Sequence, residues 1–208
     1  MTMNPWDVRN PSKYEKDADV LYLSVGRALS EWESLEGFLA HYFRFFCGGP
    51  QRGLAATLAY GSVVSFKGRA EMLRAAATGY FHEWIDHSMK DRFFDLLKVA
   101  NNFSPRRNEI AHGCALVAHF EGDIKGQSLE ASLAARRWLL LPNSYSTTKN
   151  KLIPLEPDLV RRTLPAYAYS TAEIDHYAHH FQKLRRDAWQ LVMDWSDAYP
   201  DADILPPI

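Results

Sequence analysis

A mainly α-helical bundle with a small inserted antiparallel β-sheet is the fold class the sequence predicts, on three observations. Apolar residues recur at three-and-four spacing over two long segments, one in each half of the chain. Capping and stop signals sit at the borders of these segments. Between about residues 115 and 169 the pattern changes to short apolar runs separated by Gly, Asn, Ser and Pro.

The first element is a helix over Leu21–Phe46, with apolar side chains at positions 21, 25, 28, 32, 35, 39, 42, 43 and 46. Gly48, Gly49 and Pro50 supply its stop. A second helix is expected from Leu54 to Ala77, with Leu58, Ser65, Met72 and Ala76 on one face and Gly79 past its end. The short connection makes the two an antiparallel hairpin. A third spans about Met89 to Phe103 and includes Phe93, Phe94, Leu96, Leu97 and Val99. Ser104 and Pro105 then read as an N-cap followed by proline at the first helical position, opening a short helix that Gly113 closes. Strands are expected at Ala115–Phe120, Arg136–Leu141 and Lys151–Leu155. Helical spacing returns at Ile174, Tyr177, Ala178, Phe181, Leu184, Ala188, Leu191, Val192 and Trp195, behind Ser170-Thr171-Ala172-Glu173, which fits a capping box. The expected organisation is an irregular segment over 1–16, one helical domain over 17–199 with its β insertion at about 115–169, and an irregular tail over 200–208.

With 208 residues and 47% hydrophobic content, the chain can bury one ordinary core. A net charge of −1 gives no global electrostatic case for a nucleic-acid partner, so any such partner must be held by a local patch. Cys47 and Cys114 form no Cys-x-x-Cys pair and support neither a disulfide framework nor structural zinc. No cofactor is implied. Residues 1–16 lack the apolar run of a signal peptide, and no apolar stretch reaches the ~18 residues of a membrane span. A cytoplasmic protein with no membrane association is the expectation.

The chemistry concentrates in Arg107-Asn108-Glu109-Ile110-Ala111-His112-Gly113. Asn108 and His112, four apart on a helix, face the same way, and Arg107 is long enough to reach around to them. RNA is cleaved when the ribose 2'-hydroxyl attacks the adjacent phosphorus, which needs a base, an acid and positive charge on the transition state. An imidazole can move protons near neutral pH. A guanidinium is a permanent planar cation matched to phosphate oxygens, and the Asn108 amide can orient either the phosphate or the imidazole. The same residues also fit an ordinary helix end, with His112 capping carbonyls and Arg107 in a surface ion pair.

The string Arg-Asn-Glu-Ile-Ala-His-Gly resembles the Arg-x4-6-His signature of HEPN domains, in which a polar residue commonly follows the arginine. The resemblance extends loosely over the helices on either side, with 114–169 as an elaboration. It implies a HEPN-like bundle of four to five helices, a homodimer that brings two motifs into one cleft, and RNA as substrate. It also implies a metal-independent endoribonuclease of the toxin or antiviral-defence kind, with an antitoxin or regulatory partner, in which Arg107, His112 and Asn108 are catalytic. Other members have lost catalysis and only bind RNA, a nucleotide or a protein partner. HEPN toxins regulated by a nucleotidyltransferase carry a tyrosine two residues after the histidine; Cys114 stands there instead, so tyrosine modification is not implied.

Glu36 falls in the middle of the first helix's apolar stripe, where a lone carboxylate is costly, and Arg69 lies along the face of Ser65 and Met72. The two either pair as a structural bridge within the helix hairpin or line a cleft beside Arg107. His176, His179 and His180 have metal-ligand spacing but project off the apolar stripe, as a solvated face would. The doublets Arg136-Arg137, Arg161-Arg162 and Arg185-Arg186 either track phosphates or are ordinary solvated positions.

Overall fold

The computed structural model describes residues 18–48, 53–83, 87–118, 137–143, 151–152, 163–164 and 167–198. In order these form α1 (Ala18–Phe46), α2 (Gly53–Ser62), α3 (Phe66–Glu83), α4 (His87–His112), β1 (Gly113–Ala118), β2 (Arg137–Pro142), β3 (Lys151–Leu152), β4 (Thr163–Leu164) and α5 (Thr171–Ala198). The protein is mainly helical, and among the described residues the small antiparallel pairings are confined to 113–169. The irregular segments expected at 1–16 and 200–208 lie outside the described residues, as do His119, Phe120, Arg136 and 153–155 of the expected strands.

α1 follows its predicted stripe: Leu21, Ala28, Trp32, Leu35, Leu39, Tyr42, Phe43 and Phe46 are buried. It ends as the glycines suggested, with Gly48 at φ 115° and its N–H donating to the Phe45 carbonyl at 3.3 Å. α5 is equally close to expectation. Its capping box is formed in both directions: the Ser170 N–H donates to Glu173 Oε2 at 2.8 Å, and the Glu173 N–H donates to Ser170 Oγ at 3.4 Å.

The expected second helix is two helices. Val63, Val64 and Ser65 interrupt it, and Ser65 caps α3, accepting the Gly68 N–H on its hydroxyl at 3.1 Å and the Arg69 N–H on its carbonyl at 3.0 Å. The interruption shifts the helical phase, so the buried face is Ala56 and Tyr60, then Phe66, Ala70, Leu73, Ala77 and Phe81. Leu58 and Ser65 are exposed instead, and Met72 and Ala76 are half-buried. Nor does Gly79 end the helix, which runs on to Glu83.

The expected short helix opened by Ser104 and Pro105 is instead the end of α4, which passes through Pro105. A proline there removes the N–H that would reach the Asn101 carbonyl. The Ser104 hydroxyl takes its place, donating to that carbonyl at 3.0 Å. The helix does close at Gly113 as expected, ending at His112, and β1 begins at Gly113 itself, two residues before the expected start. β1 pairs with β2 from Gly113↔Pro142 to Ala118↔Arg137, β3 pairs with β4, and Tyr169 bridges to Leu140 through hydrogen bonds of 2.9 and 3.0 Å.

The described residues fall into two compact units, one within Met1–Leu29 and Arg106–Ala178, the other within Ser30–Pro105 and His179–Ile208. In the second, an aromatic core forms around Trp195, which lies 5.7 Å from Phe46 and 5.4 Å from Phe81, with Phe46 4.9 Å from Phe93. The Tyr42 hydroxyl joins α1 to α5 there through the Ala188 carbonyl at 2.7 Å. In the first, Ile110, Leu139, Leu140, Tyr167, Tyr169, Ile174 and Tyr177 are buried. Among the described residues no helix is long and apolar enough to cross a membrane.

Candidate functional site

The last turn of α4 divides its side chains by the helical period. Glu109 and Ile110 are buried, Asn108 and His112 are exposed four residues apart, and Arg107 is half-buried. The Arg107 guanidinium donates to Asn108 Oδ1 at 3.3 Å. Arg107, Asn108 and His112 thus fall within the last two turns of α4, with the amide between the cation and the imidazole in sequence.

What fixes this turn is a buried polar network. The Tyr169 hydroxyl donates to Glu109 Oε2 at 2.5 Å and accepts from Arg106 at 2.9 Å, while Arg106 also pairs with Glu109 Oε2 at 2.9 Å. Each of the three groups therefore bonds the other two. The Glu109 carbonyl is one of the four at a helix C-terminus that lack an intrahelical donor. It accepts the Tyr167 hydroxyl at 3.0 Å. The two tyrosine rings stack, with centroids 5.1 Å apart. Burial, then the hydrogen bond to Glu109 and its charge, holds the Tyr169 phenol far above its usual range, and burial with the same carboxylate pushes Tyr167 up to about 12. Both hydroxyls are therefore protonated donors at neutral pH.

Gly113 completes the junction. A Cβ there would come within 2.6 Å of the Leu140 side chain and 3.0 Å of the Glu109 carbonyl, so a side chain at this position would push β2 off the helix end. Cys114, next along β1, accepts the Asn143 amide N–H on sulfur at 3.4 Å.

Glu36 and Arg69 resolve as the structural bridge. The buried Glu36 carboxylate accepts the Trp32 indole N–H at 2.8 Å on one oxygen and the Arg69 guanidinium on the other. Arg69 also donates through Nε to the Val63 carbonyl at 2.8 Å and lies over the Tyr60 ring. Both belong to the second unit, whereas the motif belongs to the first.

His176, His179 and His180 build no metal site: among the described residues no three His, Cys, Asp or Glu side chains group in a way that could hold a metal ion. His180 packs its ring 4.9 Å from Phe103. Of the arginine doublets, Arg185 is tied to Glu31 at 2.8 Å and Arg186 to Gln182 at 3.0 Å, while Arg136, Arg161 and Arg162 lie outside the described residues. In the second unit an open groove of about 430 Å³ runs between α4 and α5 over Leu96, Val99, Phe103 and Leu184. His180 lines it, whereas Arg107, Asn108, His112, Glu36 and Arg69 do not.

Sequence reasoning missed Arg106, Glu109, Tyr167 and Tyr169, the residues that hold the turn. The one local signal was Tyr167-Ala168-Tyr169, two aromatics at strand period directly before the Ser170 capping box. No protein-family model, curated protein or solved structure matches the chain.

Proposed function

We propose that the chain is a HEPN-type protein that binds RNA at Arg107, Asn108 and His112 and cleaves it by 2'-hydroxyl attack without a metal ion. The observation that carries this reading is the exposure of Asn108 and His112, four apart on a helix end whose buried side is anchored through Glu109, with Arg107 bonded to Asn108. Anchored polar groups reorganise little when charge develops, which is what transition-state stabilisation requires. Arg106 is held by Glu109, and the planar Arg107 guanidinium beside Asn108 has the shape and charge matched to phosphate oxygens.

In the reaction a base removes the 2'-hydroxyl proton, and the oxygen attacks phosphorus. The bond to the 5'-oxygen breaks, and that oxygen takes a proton from an acid. The products are a 2',3'-cyclic phosphate and a 5'-hydroxyl. One imidazole cannot be base and acid in the same protonation state. A second copy of the motif, as the HEPN resemblance implies, provides the other.

The test is cleavage of single-stranded RNA in EDTA. Wild-type protein is expected to yield cyclic-phosphate ends and to leave a substrate with 2'-deoxyribose at the cut site intact. His112→Ala and Arg107→Ala are each expected to lower the rate ~10²- to 10⁴-fold without unfolding the protein. Arg107→Lys is also impaired, because an ammonium cannot make the two-pronged contact. Cleavage that persists in His112→Ala refutes the assignment. Absence of cleavage, together with RNA binding lost in Arg107→Ala, makes the protein a non-catalytic binding module.

A further inference from the structure

The groove between α4 and α5 carries an unmatched charge on its wall. Two contacts set how these helix segments run: the rings of Phe103 and His180 lie 4.9 Å apart at one end, and Arg92 donates to Asp194 at 2.5 Å at the other. The segments are therefore antiparallel, and from Arg92 to Phe103 the groove is ~16 Å long. Its floor is apolar and largely covered: Leu96, Phe103, Leu184 and Leu191 are buried, while Val99 is 38% exposed. Most of the polar groups along it are already engaged. Arg92 and Gln190 both donate to Asp194, at 2.5 and 2.7 Å, and Lys183 pairs with Asp187 at 2.6 Å. Asp95 lines the groove, is exposed, and has no hydrogen bond or ion pair among the described residues.

We propose that this groove binds a small organic amine with a single positive charge, its ammonium on Asp95 and its apolar body over Val99 toward Phe103 and His180. Charge and size select the occupant. Counting histidine as neutral, three carboxylates (Asp95, Asp187 and Asp194) stand against two cations (Arg92 and Lys183), which leaves one negative charge for a ligand to match. The register set by the end contacts places Asp187 across from Leu96–Val99, within about one turn of Asp95 along the groove. Its pairing with Lys183 is an exposed contact between residues four apart, of the kind that contributes little. Asp187 is thus able to turn and share the ammonium. An anionic ligand would meet a carboxylate on both walls, and a polyamine would bring more positive charge than the groove leaves unmatched. A partner helix fits poorly as well, because a stable complex covers on the order of 800 Å² on each side and this floor has little apolar surface left to cover. The volume of about 430 Å³ is instead that of a small-molecule site, for which ~300–1,000 Å³ is usual.

The groove belongs to the second unit and the motif to the first, so this site does not rest on the RNA reading, and its test needs no activity. The probe is 2-phenylethylamine, titrated into the full chain and followed by methyl NMR up to ~10 mM, a range suited to a ligand of so few atoms. Saturable shifts are expected at the methyls of Leu96, Val99 and Leu184. 2-Phenylethanol has nearly the same shape without the charge and is expected to bind ~10-fold or more weakly, because a hydrogen bond from an ionised donor to a carboxylate is the stronger kind. 3-Phenylpropionate, with the charge reversed, is expected not to bind. Asp95→Asn keeps the side chain's shape at an exposed position and is expected to weaken the amine ~10-fold while leaving the alcohol unchanged. Should that variant fail to fold, Asp95→Ser is the substitute, with the same expectation. Shifts that never saturate, or that map outside the groove, overturn the proposal. So does equal affinity for amine and alcohol, or an amine affinity indifferent to the loss of the Asp95 carboxylate.

Discussion

At Glu36 a carboxylate 6% exposed is held from two sides, by the Trp32 indole and by Arg69. Removing one partner of such a pair leaves the other charge buried and unmatched. Glu36→Ala is therefore expected to lower the unfolding free energy by ~3–5 kcal/mol, measured by urea denaturation. The double variant Glu36→Leu/Arg69→Met should lose less than Glu36→Ala alone. Equal or greater loss in the double variant would mean that the pair contributes net attraction beyond its mutual compensation. That Glu36 needed a partner was legible in the sequence, because its helical phase places it among Trp32, Leu35 and Leu39. Glu109 was not legible in this way. Its place on the buried side of α4 depends on Tyr167 and Tyr169, some 60 residues away, and no local pattern announces a contact at that separation. That Asn108 and His112 share a face of the helix was legible from their spacing, because helix geometry is local.

The elements differ in how openly the sequence declares them, for physical reasons. α1 and α5 each bury one stripe of large side chains and carry recognisable end signals, so period and caps agree. The segment from Leu54 to Ala77 is rich in alanine, which blurs the contrast between faces, and Ser65 was read as a face position when its hydroxyl caps α3. At Pro105 the local rule favoured a helix start, and tertiary context overrode it: the buried Phe103 precedes it, the buried Glu109 and Ile110 follow it, and the Ser104 hydroxyl satisfies the carbonyl the proline leaves open. Pro105→Ala restores an N–H to the α4 ladder and is expected to raise the unfolding free energy by ~1–3 kcal/mol. A lower melting temperature in that variant would show that proline at this position is needed to seat the end of α4.

Across the whole molecule, several tyrosines share one electrostatic circumstance. Burial raises the phenols of Tyr42, Tyr60, Tyr167 and Tyr169 above the usual value near 10; Tyr167 reaches about 12 and the others go beyond it. The folded state therefore holds these protons more tightly than the unfolded chain. The stability they contribute is fully present below pH ~10 and is lost as pH rises through the folded-state values. Absorbance at 295 nm is expected to show some of the ten tyrosines ionising near pH 10 and the remainder only as the helical signal collapses. Ionisation of all ten in a single step near pH 10 with the helices intact would contradict the burial of Tyr42 and Tyr169. The compact units these residues stabilise are not strung in series. Their boundaries fall inside α1, α4 and α5, at Leu29/Ser30, Pro105/Arg106 and Ala178/His179. Neither unit is thus a transplantable module: excising one would cut three helices mid-ladder, and recombination between genes could exchange these parts only by keeping all three together.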